Sequence, residues 1–164
     1  MGQLYIKQQV FSLAEHFTVT DAVGNVRYQV DGSFLRIPKS FSITDPYGNE
    51  VASLEKTMLS LLPHFSVFVG GAQVATIDKE FSFFRPRYRI DAVGLDVEGD
   101  WWDMNFSVAR GGVQVAQISK RWLSWGDSYE INVFGDGPET LIVALVIAID
   151  KVKRDAGRRD ITMG

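Results

Sequence analysis

The chain has no cysteine, which removes disulfides, thiol nucleophiles and thiolate metal sites in one step. Histidine is almost as scarce: two in 164 residues, so a catalytic triad or a histidine-rich metal centre would have to use His16 or His64. Neither sits in a recognisable motif, and both read as solvated or strand-end side chains, His16 after Glu15 and His64 after Pro63. The chain also lacks a nucleophile elbow, a P-loop, an HExxH helix and an EF-hand loop, so neither a catalytic residue nor a cofactor is expected. Charge of one sign is not in excess. Seventeen Lys plus Arg against twenty Asp plus Glu leave a net charge of −3, too acidic for a surface that tracks nucleic acid. The opening MGQLYIKQQVFSL carries one Lys and no long apolar core, so no secretory signal is expected, and the expected location is cytoplasmic or peripheral at the inner membrane surface.

What is present is an ordinary globular composition, 46% apolar and 23% charged, at a length that favours one domain with a sizeable core. Eighteen Val, eleven Ile and eleven Phe, punctuated by fifteen Gly, favour strands joined by tight turns. FTVTDAVGNVRYQV from Phe17 reads as a hairpin turning at Gly24-Asn25, because Gly takes the positive φ of a two-residue turn and Asn tolerates it. The grammar returns at FSITDPYGNEVASLEK, at FSVFVGGAQVATIDK with Gly70-Gly71, and at FSVARGGVQVAQISK with Gly111-Gly112.

These segments are internal repeats. Shifting residues 65–90 by 41 positions onto residues 106–131 gives twelve identities in 26 places, and shifting residues 17–35 by 24 superposes FTVTDAVGN on FSITDPYGN. One hairpin cannot bury its own apolar face, so the copies must join one sheet. Roughly twelve strands are expected between Leu4 and Phe134, more than a twisted open sheet usually holds, and closing into a barrel removes the edges.

The C-terminal segment is different. Asp136 or Gly137 can cap it, Pro138 suits a first helical position, Glu139 complements the dipole, and Leu141 to Ile149 is apolar on every side. A helix of that kind is surrounded either by lipid or by protein. Spanning a bilayer takes about 20 apolar residues, more than Glu139 to Asp150 encloses, so a helix threaded through the barrel is expected. Residues 155–164 are polar and without period, which suggests a frayed tail behind a single domain at 1–154.

The opening KQQVFSLAEHFTVTDAVGNVRYQVDG, the repeated xVAxIxK strands and the terminal LIVALVIAID resemble the LURP-one-related family with its bacterial YxjI-type members, which belongs with the tubby C-terminal fold. The resemblance covers about Leu4 to Val152. It implies a twelve-stranded barrel around a central helix, and it implies no enzymatic chemistry. Tubby proteins bind phosphoinositide headgroups, and phospholipid scramblases share the fold, but no segment here aligns with that headgroup pocket, so no ligand residue is carried over.

The most informative polar feature is FFRPRYRID. With a period of two, Arg85, Arg87 and Arg89 project to one face and Tyr88 and Ile90 to the other. Three guanidiniums in a row need an anion opposite, either carboxylates of a neighbouring strand or a phosphate. In the second repeat Gly126, Ser128 and Glu130 take these places, so the scaffold does not require the stripe. Asp91, Asp96, Glu98, Asp100 and Asp103 read as solvated turn carboxylates, with a weak Ca²⁺ site as the alternative. Trp101, Trp102, Trp122 and Trp125 read as barrel packing, and Lys56, Lys79 and Lys120, which recur in the repeats, as strand-end residues. The expectation is an all-β domain with one buried helix, a tubby-like closed barrel. Functionally it is a non-enzymatic binding module for anionic phospholipid headgroups or a protein partner. A scramblase-like lipid-translocating protein is the alternative, and an enzyme of unknown reaction a weaker one.

Overall fold

The computed structural model describes residues 2–7, 16–33, 39–59, 62–80, 87–101, 103–123 and 126–163. Twelve strands precede one helix. The strands are β1 Gly2–Lys7, β2 His16–Asp21, β3 Val26–Ser33, β4 Lys39–Thr44, β5 Glu50–Leu59 and β6 Leu62–Val69, then β7 Ala72–Glu80, β8 Arg87–Ala92, β9 Asp96–Asp100, β10 Asn105–Arg110, β11 Val113–Leu123 and β12 Gly126–Val133. The helix α1 spans Glu139–Met163.

All twelve strands form one antiparallel sheet in the order β8-β7-β6-β5-β4-β3-β2-β1-β12-β11-β10-β9. The first and last strands of the chain pair centrally, Leu4 opposite Ile131, so the order starts and ends on β8 and β9, which are consecutive in sequence. An isolated bridge between Ala92 and Leu95 joins them. The twelve-stranded barrel is therefore as expected and nearly closed, with β8 and β9 joined at this seam by a turn and, among the described residues, no ladder between them.

Each of the four hairpin repeats carries an irregularity in the same place, after Val19, Ile43, Val67 and Val108. A bulge bends its strand and increases local twist, and repeating it around the sheet curls the sheet into a barrel. The turns differ in detail from expectation. Gly70, Gly71, Gly111 and Gly112 do adopt positive φ. Gly24 and Gly48 do as well, but the Asp21 N–H donates to the Asn25 carbonyl at 2.9 Å and the Gly24 N–H to the Asp21 carbonyl at 3.1 Å, so the turn spans Asp21 to Asn25 and is not a two-residue Gly24-Asn25 turn. Asp21 organises that turn instead. Its Oδ1 accepts N–H bonds from Val23 and Asn25 at 3.0 and 2.8 Å, and Asp45 does the same for Tyr47 and Asn49, each at 2.9 Å. These bonds favour the ionised carboxylates and hold both below the usual aspartate value, the Asn25 and Asn49 backbone N–H groups contributing most.

Alternate residues of each strand face inward, for example Val30, Ile43, Leu54, Val67, Ile77 and Ile118, and form one buried core cluster with Ile142 to Ile149 of α1. The helix lies closest to β5, β6 and β7, where Ala52 and Ala75 are small inward residues that let backbones approach. It enters at the end of the barrel that bears the glycine turns. The Pro138 carbonyl accepts the first helical bond from the Ile142 N–H at 2.9 Å, which makes Pro138 the cap rather than the first helical residue. Glu139 Oε1 accepts from Arg27 at 3.0 Å and from the Tyr28 hydroxyl at 2.8 Å. Burial pushes the Tyr28 phenol up to about 12, so it stays a donor. At its other end α1 continues past Arg154 to Met163, so the backbone after residue 155 is helical where the composition suggested no regular structure.

Candidate functional site

Antiparallel alternation gives the barrel two unlike ends. One carries the glycine turns and the start of α1. The other carries the starts of β2, β4, β6, β8, β10 and β12 and the ends of the strands between them. Lys56, Lys79 and Lys120 lie at this second end in inward register, opposite Phe65, Tyr88 and Tyr129, and the Lys56 ammonium stands 5.9 Å from the centre of the Phe65 ring. Further along α1, Lys151 is buried with its ammonium 4.7 Å from the Phe41 ring. Beside it Asp150 accepts the Tyr129 hydroxyl bond at 2.7 Å. Three of the four repeats thus place a lysine near a strand end on a common rim, while the first has Gly32 at the matching position.

On the outer wall the same end bears the arginine strand. Register sets Arg87 opposite Glu80, Tyr88 opposite Lys79 and Arg89 opposite Asp78. Arg89 is on the outer face with its side chain 62% exposed, its Nη2 3.9 Å from Asp78 Oδ2 and its Nε 3.2 Å from Asp91 Oδ2. Carboxylates therefore stand against at least one guanidinium of the stripe. Arg85 lies outside the described residues, and of Arg87 only the backbone is described.

His64 is half-buried between Asp78, whose Oδ1 it contacts through Nδ1, and Ser66, whose Oγ is 3.1 Å from Nε2. The order serine, histidine, aspartate is that of a nucleophilic triad. Acyl transfer also needs N–H donors aimed at an oxyanion. β6 is paired on both sides, by β5 and β7, so the N–H groups flanking Ser66 are committed to ladders. Ser66 itself is only 7% exposed. The trio is a polar clamp between two strands. His16 repeats half of it: its Nδ1 is 2.5 Å from Asp31 Oδ1 on β3. The sequence carried a signal for this, because His-Phe occurs at the head of two repeats with an aspartate near the end of each hairpin.

The other candidates resolve separately. Asp96, Glu98 and Asp100 are exposed along β9, Asp91 holds Arg89, and Asp100 caps the Asp103 N–H at 3.1 Å. Among the described residues no three His, Cys, Asp or Glu side chains form a group that could hold a metal. Trp101 packs against the core. Trp122 lies in β11 opposite Asp127 with only its backbone described, and Trp102 and Trp125 lie outside the described residues. A shallow outer groove of about 500 Å³ is lined by Asp31, Ser42, Glu50, Ser53 and Glu55, the wrong sign for a phosphate.

The family model described as LURP-one-related matches residues 3–150. The uncharacterized protein YxjI of Bacillus subtilis (strain 168) is 31% identical over 152 residues, covering 93% of this chain and 94% of that one. The X-ray structure of a protein from Arabidopsis thaliana superposes with a TM-score of 0.64 at 18% identity, covering 92% of this chain and 91% of that one.

Proposed function

This chain belongs to the LURP-one-related family, and from that premise we propose that it is a binding module without catalytic chemistry. Its ligand is the phosphate of an anionic phospholipid headgroup, met from the cytoplasmic side at the lysine- and arginine-bearing end of the tubby-like barrel. The observation that carries this reading is the position of β8. It ends the ladder order, with Arg89 exposed on its outer face. A guanidinium on an accessible strand suits bidentate contact with phosphate oxygens. Lys79, cross-strand from Tyr88, adds positive charge at the same end.

The scramblase-like alternative needs α1 to leave the barrel. That would break the buried Tyr129–Asp150 bond and open the core around Ile142 to Ile149. No helix among the described residues is long and apolar enough to cross a membrane.

Flotation with phosphatidylcholine vesicles, with and without phosphatidylserine, tests the proposal. Headgroup binding predicts flotation only with the anionic lipid, lost at high salt because exposed charges are screened. Flotation that survives high salt would favour insertion, and no flotation at any salt would leave a protein partner as the ligand of this surface.

A further inference from the structure

Asp78 is shared. Its Oδ1 faces His64 Nδ1, and its Oδ2 is 3.9 Å from Arg89 Nη2. When His64 is neutral, its Nδ1–H donates to Asp78 and its Nε2 accepts from the Ser66 hydroxyl. When His64 is protonated, the first bond remains and Ser66 Oγ accepts from Nε2–H instead. A hydroxyl serves in either role, so the same heavy-atom positions suit both states and a proton changes only the charge.

The groups facing His64 from each neighbouring strand show what that charge acts on. From β5 come Thr57, its registered partner, and Glu55, opposite Ser66. From β7 come Asp78, with Thr76 and Glu80 on either side in the same alternation. Beyond β7, β8 presents Arg89 opposite Asp78, Asp91 opposite Thr76, and Arg87 opposite Glu80. Two carboxylates, Asp78 and Asp91, thus offset Arg89 across this outer wall. A proton on His64 engages Asp78 as an ion pair and removes one of those offsets. Arg89 Nε stays anchored on Asp91 at 3.2 Å, which leaves its terminal nitrogens directed by the competition between Asp78 and any arriving anion.

We infer that His64 gates anion binding at this face: its protonation engages Asp78, weakens the hold of that carboxylate on Arg89, and so strengthens binding of a phosphate-bearing ligand as the medium is acidified. The inference rests on the headgroup reading and adds its regulation. It distinguishes the two histidines, since His16 and Asp31 lie on β2 and β3, strands away from β8 in the sheet order.

The test uses the full chain in four forms: wild type, His64→Gln, Asp78→Asn and His16→Gln, each checked by circular dichroism. Co-sedimentation with phosphatidylcholine vesicles containing phosphatidylserine is measured across a series from about pH 7.5 down to about pH 5.5. Titration with inorganic phosphate runs in parallel. Wild type and His16→Gln should bind vesicles roughly three- to tenfold more tightly at the lower pH, the effect of one added charge acting through a partly exposed site. His64→Gln should lose that step, and Asp78→Asn should bind at neutral pH about as well as acidified wild type. A pH step seen with inorganic phosphate but not with vesicles would keep the gate and make a soluble phosphate its ligand. A wild-type step retained in His64→Gln overturns the gate while leaving headgroup binding intact. Absence of binding to either probe by all four proteins overturns both. Should His64→Gln fail to fold, Asp78→Asn breaks the same contact from the other side and decides the matter.

Discussion

Inside the barrel the Tyr129 hydroxyl on β12 donates a 2.7 Å hydrogen bond to Asp150 on α1, and each residue is only 2% exposed. Position 129 matches Tyr88 in the preceding repeat, so the repeat scaffold supplies the phenol and the helix supplies the acceptor. This bond ties the last turn of the apolar run to the sheet, and it fixes how far the helix is threaded.

Removing the phenolic oxygen should therefore weaken the fold. Tyr129→Phe deprives a buried carboxylate of one donor, and hydrogen bonds to charged groups contribute about 1.5 to 3 kcal/mol. Urea denaturation should show a loss in that range with an unchanged m-value. A variant as stable as wild type would mean that Asp150 is satisfied without Tyr129.

Leu145 tests the threading itself. It is fully buried in the middle of the apolar run of α1, with apolar neighbours along the chain on both sides, so Leu145→Asp places a charge where no water reaches it. Insoluble expression or loss of cooperative unfolding is expected. A soluble Leu145→Asp protein melting close to wild type would show that the helix does not reside in the barrel.

Two glycines separate backbone strain from steric conflict. Gly111 has φ of +56°, yet a Cβ there would meet nothing within 4 Å. Gly137 shows no positive φ, but its Cβ would lie 3.0 Å from the Val115 carbonyl oxygen and from Val133 Cγ1. Gly111→Val should cost about 1 to 2 kcal/mol through conformation alone. Gly137→Ala should move the helix entrance, visible as altered hydrogen exchange at Phe134 and Ile142. Equal, negligible effects at both sites would contradict the described turn geometry.

The architecture was legible because its signals are local and repeated. Phe17, Phe41, Phe65 and Phe106 each open a run of alternating residues, and period two needs no tertiary information. The apolar helix was legible because nine successive apolar residues, Leu141 to Ile149, have no exposed face. The bulges after Val19, Ile43, Val67 and Val108 were not, because inserting one residue into a ladder depends on the partner strand. Nor was the turn role of Asp21, which needs the carboxylate to fold back onto Val23 and Asn25. His64 stands fourteen residues from Asp78 in the chain, and only pairing of β6 with β7 brings the two together. The seam between β8 and β9 likewise depends on how the sheet closes.

Asp21 and Asp45 predict a pH response at the turns. Both carboxyls are held below the ordinary aspartate value of 3.8, chiefly by backbone N–H donors that favour the ionised form. A depressed folded-state pKa means that the stabilisation is fully present above 3.8 and is lost as pH falls through the lowered value. Carboxyl carbon shifts followed by NMR should give titration midpoints under 3.8 for both residues. Midpoints at or above it would remove these carboxylates as organisers of their turns.

The arginine strand gives the last prediction, which sets binding against stability in one protein. Arg89 is well exposed and stands beside Asp78 and Asp91 at 3.9 and 3.2 Å, and exposed pairs of this kind contribute about 0 to 1 kcal/mol. Changing Arg85, Arg87 and Arg89 together to Gln should therefore abolish flotation with phosphatidylserine vesicles while shifting the melting temperature little. If these arginines instead neutralise carboxylates that would otherwise repel one another across β7 and β8, the triple variant should melt well below wild type, and mutating Asp78 and Asp91 as well should restore it. Unchanged flotation by a folded triple variant would assign the stripe to the scaffold.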